Sequence, residues 1–153
     1  MTLTNNDDLV SQLVQRARQA HVVLMRGDVA AYRALIEPTD DFILMAPFGG
    51  TPSRGAGMTE ERWEAVGRFF VNGRDSTLDL VHAWAGTDMV VLAVIERTHL
   101  EVGGLPAQDW ALRVTLVFRH QNGRWLLAHR HADPLGPGIS VAQAAALSRG
   151  APQ

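Results

Sequence analysis

Apolar residues recur at helical spacing along the first part of the chain. Leu9, Val10, Leu13, Val14, Ala17 and Leu24 share one stripe between Asp8 and Met25, with Asn5 and Asn6 as capping candidates and Gly27 as a stop. Asp28 can cap a second, shorter helix through Ile36, which Pro38 ends because proline lacks the backbone donor. Asp41 to Ala46 reads as a short strand. Pro47 to Gly57 holds four glycines and two prolines and reads as a loop, either a plain connector or a mobile lid. Thr59 with Glu60 and Glu61 opens a third helix, carrying Trp63, Val66, Phe69 and Phe70 inward.

After Asn72-Gly73 the period changes to two. Four β-type runs follow, 77–85, 89–101, 108–121 and 124–133, joined by Gly86-Thr87-Asp88, Val102-Gly103-Gly104-Leu105-Pro106 and Asn122-Gly123. Three helices followed by an antiparallel meander predict an α+β domain, helices covering one face of a strongly curved sheet. The domain runs from residue 1 to 135. Gly136-Pro137-Gly138 then releases a tail, 136–153, in which Ser140 to Ser148 can form a short capped helix or fray.

A two-residue turn at Asn122-Gly123 makes paired residue numbers sum to 245, which sets Val114 opposite His131. One face then carries Leu112, Val114, Leu116 and Phe118 beside Trp125, Leu127, His129, His131 and Asp133, apolar with a polar cluster at one end. That is the pattern of a pocket floor. Arg130 falls on the opposite, mixed face.

Composition narrows the chemistry. The chain has 153 residues, 14 basic and 16 acidic, for a formal net charge of −2; every basic residue is arginine, and cysteine is absent. Thiolate nucleophiles, disulfides, cysteine-ligated zinc, Schiff bases and the lysine-containing phosphate loop are therefore excluded. A pI near 6.3 without an arginine run gives no reason to bind nucleic acid. The longest apolar run, Met89 to Ile95, is too short to span a bilayer, and the first residues lack the features of a signal peptide, so the expectation is a cytoplasmic protein with no membrane partner.

The order helix, Arg26-Gly27-Asp28, short helix, strand into Ala46-Pro47-Phe48-Gly49, helix and four strands, ending Asn122-Gly123-Arg124-Trp125 into His129-Arg130-His131-Ala132-Asp133, resembles the SnoaL-like group. That group belongs to the nuclear-transport-factor-2-like superfamily, which includes ketosteroid isomerases, polyketide cyclases and kinase association domains. The resemblance covers roughly residues 8 to 135. It implies a cone-shaped, cystatin-like sheet with three N-terminal helices over its concave face, a deep pocket between them, and a homodimer through the convex face. The fold hosts many functions, so activity does not follow from it.

Carried over residue by residue, the ketosteroid isomerase base falls on Ala46, the helix-borne phenol on Ala20, and the protonated acid near Leu116, so that route to isomerisation is lost. The Arg-x-Asp of limonene-epoxide-hydrolase-like members resembles Arg97-Thr98-His99, and their second aspartate falls on His131. The arginine is kept and both carboxylates have become imidazoles, which titrate near neutral pH.

The resulting candidates are His131 as base, Asp133 orienting it, and Arg97 and His99 polarising an oxygen. His129, Tyr32, Trp63, Phe42, Leu116 and Val114 are candidates for contact with a ligand. A metal site at His129, His131 and Asp133 is weaker than hydrogen bonding at the cone's open end, because alternation alone is a poor ligand signal; no metal and no cofactor are expected. Arg97 needs a partner, Asp133 or a ligand carboxylate, while Glu96 faces the other way. His21 and His120 read as surface residues. Two functions remain: a cofactor-independent cyclase, isomerase, dehydratase or hydrolase acting on a small, largely apolar molecule, or a binding or assembly module that uses the pocket without turnover.

Overall fold

The structure, a computed structural model, describes residues 5–150. In chain order come α1 (Asn5–Met25), α2 (Val29–Leu35), β1 (Pro38–Met45), β2 (Ser53–Arg54), a 3-10 turn (Gly55–Gly57), α3 (Glu60–Phe69), β3 (Phe70–Ala85), β4 (Met89–Val102), β5 (Gln108–Gln121), β6 (Arg124–Pro134) and α4 (Val141–Leu147). Side chains placed by sequence chemistry start three of the helices. The Asp28 carboxylate accepts from the Ala31 N–H, the Thr59 hydroxyl from Arg62, and Ser140 from Gln143 in a reciprocal capping box.

The six strands form one curved sheet in the order β2-β1-β6-β5-β4-β3. β3 to β6 make the expected antiparallel meander. β1 differs by running parallel to β6. It also begins at Pro38 rather than Asp41, and β3 begins at Phe70 rather than Thr77. The early part of β3 escapes a period-two reading because its pairing slips between Val71, Arg74 and Thr77, with Asn72 at φ 59° and Asp75 at φ 55°. The segment Pro47 to Gly57 is not structureless: β2 pairs there with β1.

α1 lies across the concave face. Its Leu13, Val14, Ala17 and Ala20 pack against Leu78, Val90, Leu92, Val94, Val114, Leu116, Phe118 and Leu127. Leu13 and Leu92 are fully buried, a contribution of about 1.5–3 kcal/mol each. At the α1–α2 corner Gly27 has φ +78°, and a Cβ there would stand 2.5 Å from the Gly67 carbonyl oxygen, so the corner closes directly onto α3.

One bulge decides what the concave face carries. From Asn122-Gly123 the β5–β6 pairing follows the expected register as far as Phe118 with Leu127. Ala128 is then an extra residue, and Val117 pairs with His129, Leu116 with Arg130, Thr115 with His131 and Arg113 with Asp133. A shift of one residue exchanges the two faces of a strand. His129, His131 and Asp133 therefore leave the concave face, contrary to the register expected from the turn, and Arg130 takes their place.

Candidate functional site

β4 alternates with little interruption: Val90, Leu92, Val94, Glu96, Thr98, Leu100 and Val102 are all buried. That alternation sets a carboxylate in the middle of an apolar face. Glu96 is only 4% exposed, so its charge must be compensated locally. Arg130, displaced onto the same face by the bulge, donates from Nη1 to Oε1 and from Nη2 to Oε2, both at 2.7 Å. Such a fork-to-fork pair is the strongest geometry open to the two groups.

His21 completes the cluster from α1. It is buried rather than superficial, lying four residues beyond Ala17 on the apolar stripe. Its Nε2 donates to the Arg97 carbonyl at 3.1 Å, since a carbonyl can only accept, and its Nδ1 stands 3.7 Å from Glu96 Oε2. Burial alone would raise the Glu96 carboxyl; the Arg130 charge and hydrogen bonds, with a smaller contribution from His21, hold it below the ordinary carboxylate range. Burial likewise opposes the Arg130 charge, yet Glu96 outweighs it and raises the guanidinium above its ordinary value.

Above this cluster lies a cavity of about 630 Å³ between the sheet, α2 and α3. Its walls are largely apolar, with Phe42, Leu44, Trp63, Val66, Phe69, Trp110, Leu112 and Leu127 among them. Arg130 and Tyr32 supply polar atoms at the inner end, where they also border a small void shared with His21 and Glu96. The Tyr32 hydroxyl makes no hydrogen bond to a described residue. Burial pushes its phenol above the usual value, so it stays neutral and able to donate. Tyr32 in turn packs against Trp63, ring centroids 6.0 Å apart.

The sequence-derived candidates divide between the two faces. Tyr32, Trp63 and Phe42 line the cavity. Leu116 borders only the small void, and Val114 is core beneath α1. His131, His99, Arg97 and Asp133 lie on the convex face and form no single cluster there; only His131 is near enough to Asp133 to help hold its carboxyl below the usual range, after Arg113. Arg97 pairs with Asp79 at 2.9 Å rather than with Asp133, His99 with Asp109 at 2.8 Å, and Asp133 with Arg113 at 2.6 Å. His129 donates from Nδ1 to the Ile43 carbonyl at 2.8 Å, tying β6 to β1. Its ring is 6.3 Å from that of His131. No group of three or more histidine or acidic side chains converges as a metal site among the described residues.

Glu96 and His21 are the residues that sequence reasoning missed as a site, and both had a signal. Each polar residue interrupts an apolar stripe at the position where the stripe demands burial. Arg130 had none, because its face depends on the bulge.

The curved sheet with helices over its concave face has counterparts of known structure. A nuclear-transport-factor-2-like protein from Streptomyces avermitilis, with a proposed dehydratase activity, aligns with TM-score 0.68 at 21% identity, covering 85% of this chain and 98% of its own. A nuclear-transport-factor-2-like superfamily protein from Salmonella enterica aligns with TM-score 0.66 at 16% identity, covering 88% and 96%. The association domain of C. elegans CaMKII aligns with TM-score 0.60 at 14% identity, covering 84% and 97%. At such identities these similarities concern the fold alone. No curated protein matches the sequence. No described helix is long and apolar enough to cross a membrane. The SnoaL-like domain model matches residues 12–134, which include most of α1, all of α2 and α3, the meander and the buried Glu96–Arg130 pair, and the chain belongs to the SnoaL-like domain family.

Proposed function

We propose that the protein is a ligand-binding module that takes a small, largely apolar molecule into the cavity and holds one of its oxygens against Arg130 and Tyr32. The observation that carries this reading is an apolar chamber of about 630 Å³ whose inner polar groups are donors. Proton transfer would need a base within reach of the ligand. Glu96 has both oxygens committed to Arg130, and Glu37, the carboxylate on the cavity wall, is engaged by Arg124. The reading is therefore binding without acid–base turnover. Any chemistry by His131, His99, Arg97 or Asp133 would take place on the convex face, away from the bound molecule.

A second copy of the chain is proposed to cover that convex face, which presents Val91, Ala93, Ile95, Thr115 and Val117, half-buried, between ion pairs. Its mixture of aliphatic centre and charged surround is that of a subunit contact.

The ligand site is tested by titrating an acetyl-substituted naphthalene into the wild type and into Leu44→Trp, which fills the cavity, by calorimetry. Saturable binding lost in the variant supports the site. Equal binding in the two removes it, and conversion of a bound ketone to product on incubation would restore a catalytic reading.

A further inference from the structure

A second concavity, a groove of about 610 Å³, lies where α1, α2 and the start of β6 meet. It shares only Arg33 and Glu37 with the main cavity. Half-buried Leu9, Leu35 and Trp125 give it an apolar side, and its ionised lining residues are Arg16, Arg33, Glu37 and Arg124. Arg33 is paired with Glu60 at 2.9 Å, and Arg124 with Glu37. Arg16 is different, because its contacts within the described residues are to neutral groups.

The apolar stripe of α1 carries Arg16 inward beside buried Ala17, to the end of the concave face where β5 turns into β6. Its guanidinium carbon stands 5.5 Å from the centre of the Phe118 ring, and its Nη1 donates to the Trp125 carbonyl at 3.1 Å. Burial alone acts on the group and pulls its pKa below the ordinary value, whereas a carboxylate neighbour would raise it. With Nη1 engaged, Nε and Nη2 remain. Neither is a buried orphan: among the described residues the buried side-chain nitrogens without a partner are those of Trp110 and Arg119. The Nε–Nη2 edge of Arg16 is therefore open to solvent in the groove.

That edge presents two parallel N–H donors, the fork that fits the two oxygens of a carboxylate. Only one positive charge is uncompensated, so a dianion would bring a second charge into a partly desolvated groove with nothing to meet it. We propose that the groove is a second ligand site, for an apolar monocarboxylate whose carboxylate is held by the Nε–Nη2 edge of Arg16 and whose body lies on Leu9, Leu35 and Trp125. The site is independent of the main cavity, where Glu96 already neutralises Arg130.

The test titrates octanoate, octanamide and octyl phosphate by calorimetry into the full-length wild type and four variants. Arg16→Gln removes the charge, Arg16→Lys keeps it without the fork, Ala34→Trp fills the groove from an exposed position, and Leu44→Trp fills the main cavity. The wild type and Leu44→Trp are expected to bind octanoate alike, about tenfold tighter than octanamide, and to bind octyl phosphate no tighter than octanoate. Arg16→Gln should bring octanoate down to the level of octanamide, with Arg16→Lys between. Ala34→Trp should abolish binding while keeping the wild-type circular dichroism spectrum. The comparison of the three compounds on the wild type, together with Ala34→Trp, carries the test even where Arg16→Gln does not fold. No binding of octanoate, equal affinity for octanoate and octanamide, or octanoate binding that survives Ala34→Trp overturns the proposal. Loss of octanoate binding in Leu44→Trp does so too, by placing the carboxylate in the main cavity. None of these outcomes bears on the naphthalene titration that tests the main cavity.

Discussion

Glu96 and Arg130 meet through two parallel 2.7 Å hydrogen bonds, although 34 positions separate them in the chain. One comes from the regular alternation of β4, the other from a bulge in β6. The pair neutralises the inner end of the cavity and joins β4 to β6 across β5.

Removing one partner should be far worse than replacing both. Glu96→Ala leaves a buried guanidinium without its counter-charge and is expected to cost about 3–5 kcal/mol. The double variant Glu96→Leu with Arg130→Met, apolar and of similar volume, should recover most of that loss. Urea denaturation of the two proteins measures the difference, and equal losses would remove the electrostatic explanation.

Acid should weaken the fold through the same carboxylate. The Glu96 carboxyl is held below its ordinary range in the folded state, so between the folded and unfolded pKa values the unfolded chain binds more protons. Stability then rises with pH across that window. The contribution is fully present above the unfolded value of about 4.3 and is lost as pH falls through the lower folded value. Glu96→Gln should flatten this acid limb in a pH series of chemical denaturation, and an unchanged limb would assign it to other carboxylates.

Gly73 is expected to be irreplaceable for reasons of space. A Cβ there would come within 2.4 Å of the Met25 carbonyl oxygen, where β3 passes the end of α1. Backbone must move to admit it, so Gly73→Ala should cost more than about 1 kcal/mol, lowering the melting temperature by at least about 2–4 °C in a chain of this size. A thermal scan equal to the wild type would show that α1 can withdraw freely.

Val117 lies at the centre of the convex face, paired with Val91 and His129. Val117→Arg should convert a dimer into monomers in light scattering after gel filtration, with little change in the circular dichroism spectrum. A wild-type protein that is already monomeric at working concentration would remove the proposed contact.

Much of the fold was legible because its causes are local. Asp28, Thr59 and Ser140 cap helices with side chains three residues from the groups they satisfy, and Asn122-Gly123 turns β5 into β6 within one hairpin. The site was legible only in part. Tyr32, Trp63 and Phe42 line the cavity, and the oddity of Glu96 and His21 was present in their own stripes. The histidines of β6 were misplaced because counting from the turn assumes an unbroken ladder.

The amino-acid sequence by itself determined the helices, the hairpins and the family, since caps, turns and hydrophobic periods act over a few residues. It also determined which groups exist to do chemistry: arginine, histidine, carboxylates and a single phenol, without sulfur or amine. Which of them face the cavity was decided by tertiary structure. The extra residue at Ala128 accommodates the bend of the sheet, a property of several strands together, and in one step it exchanges His131 and Asp133 for Arg130 opposite a buried glutamate.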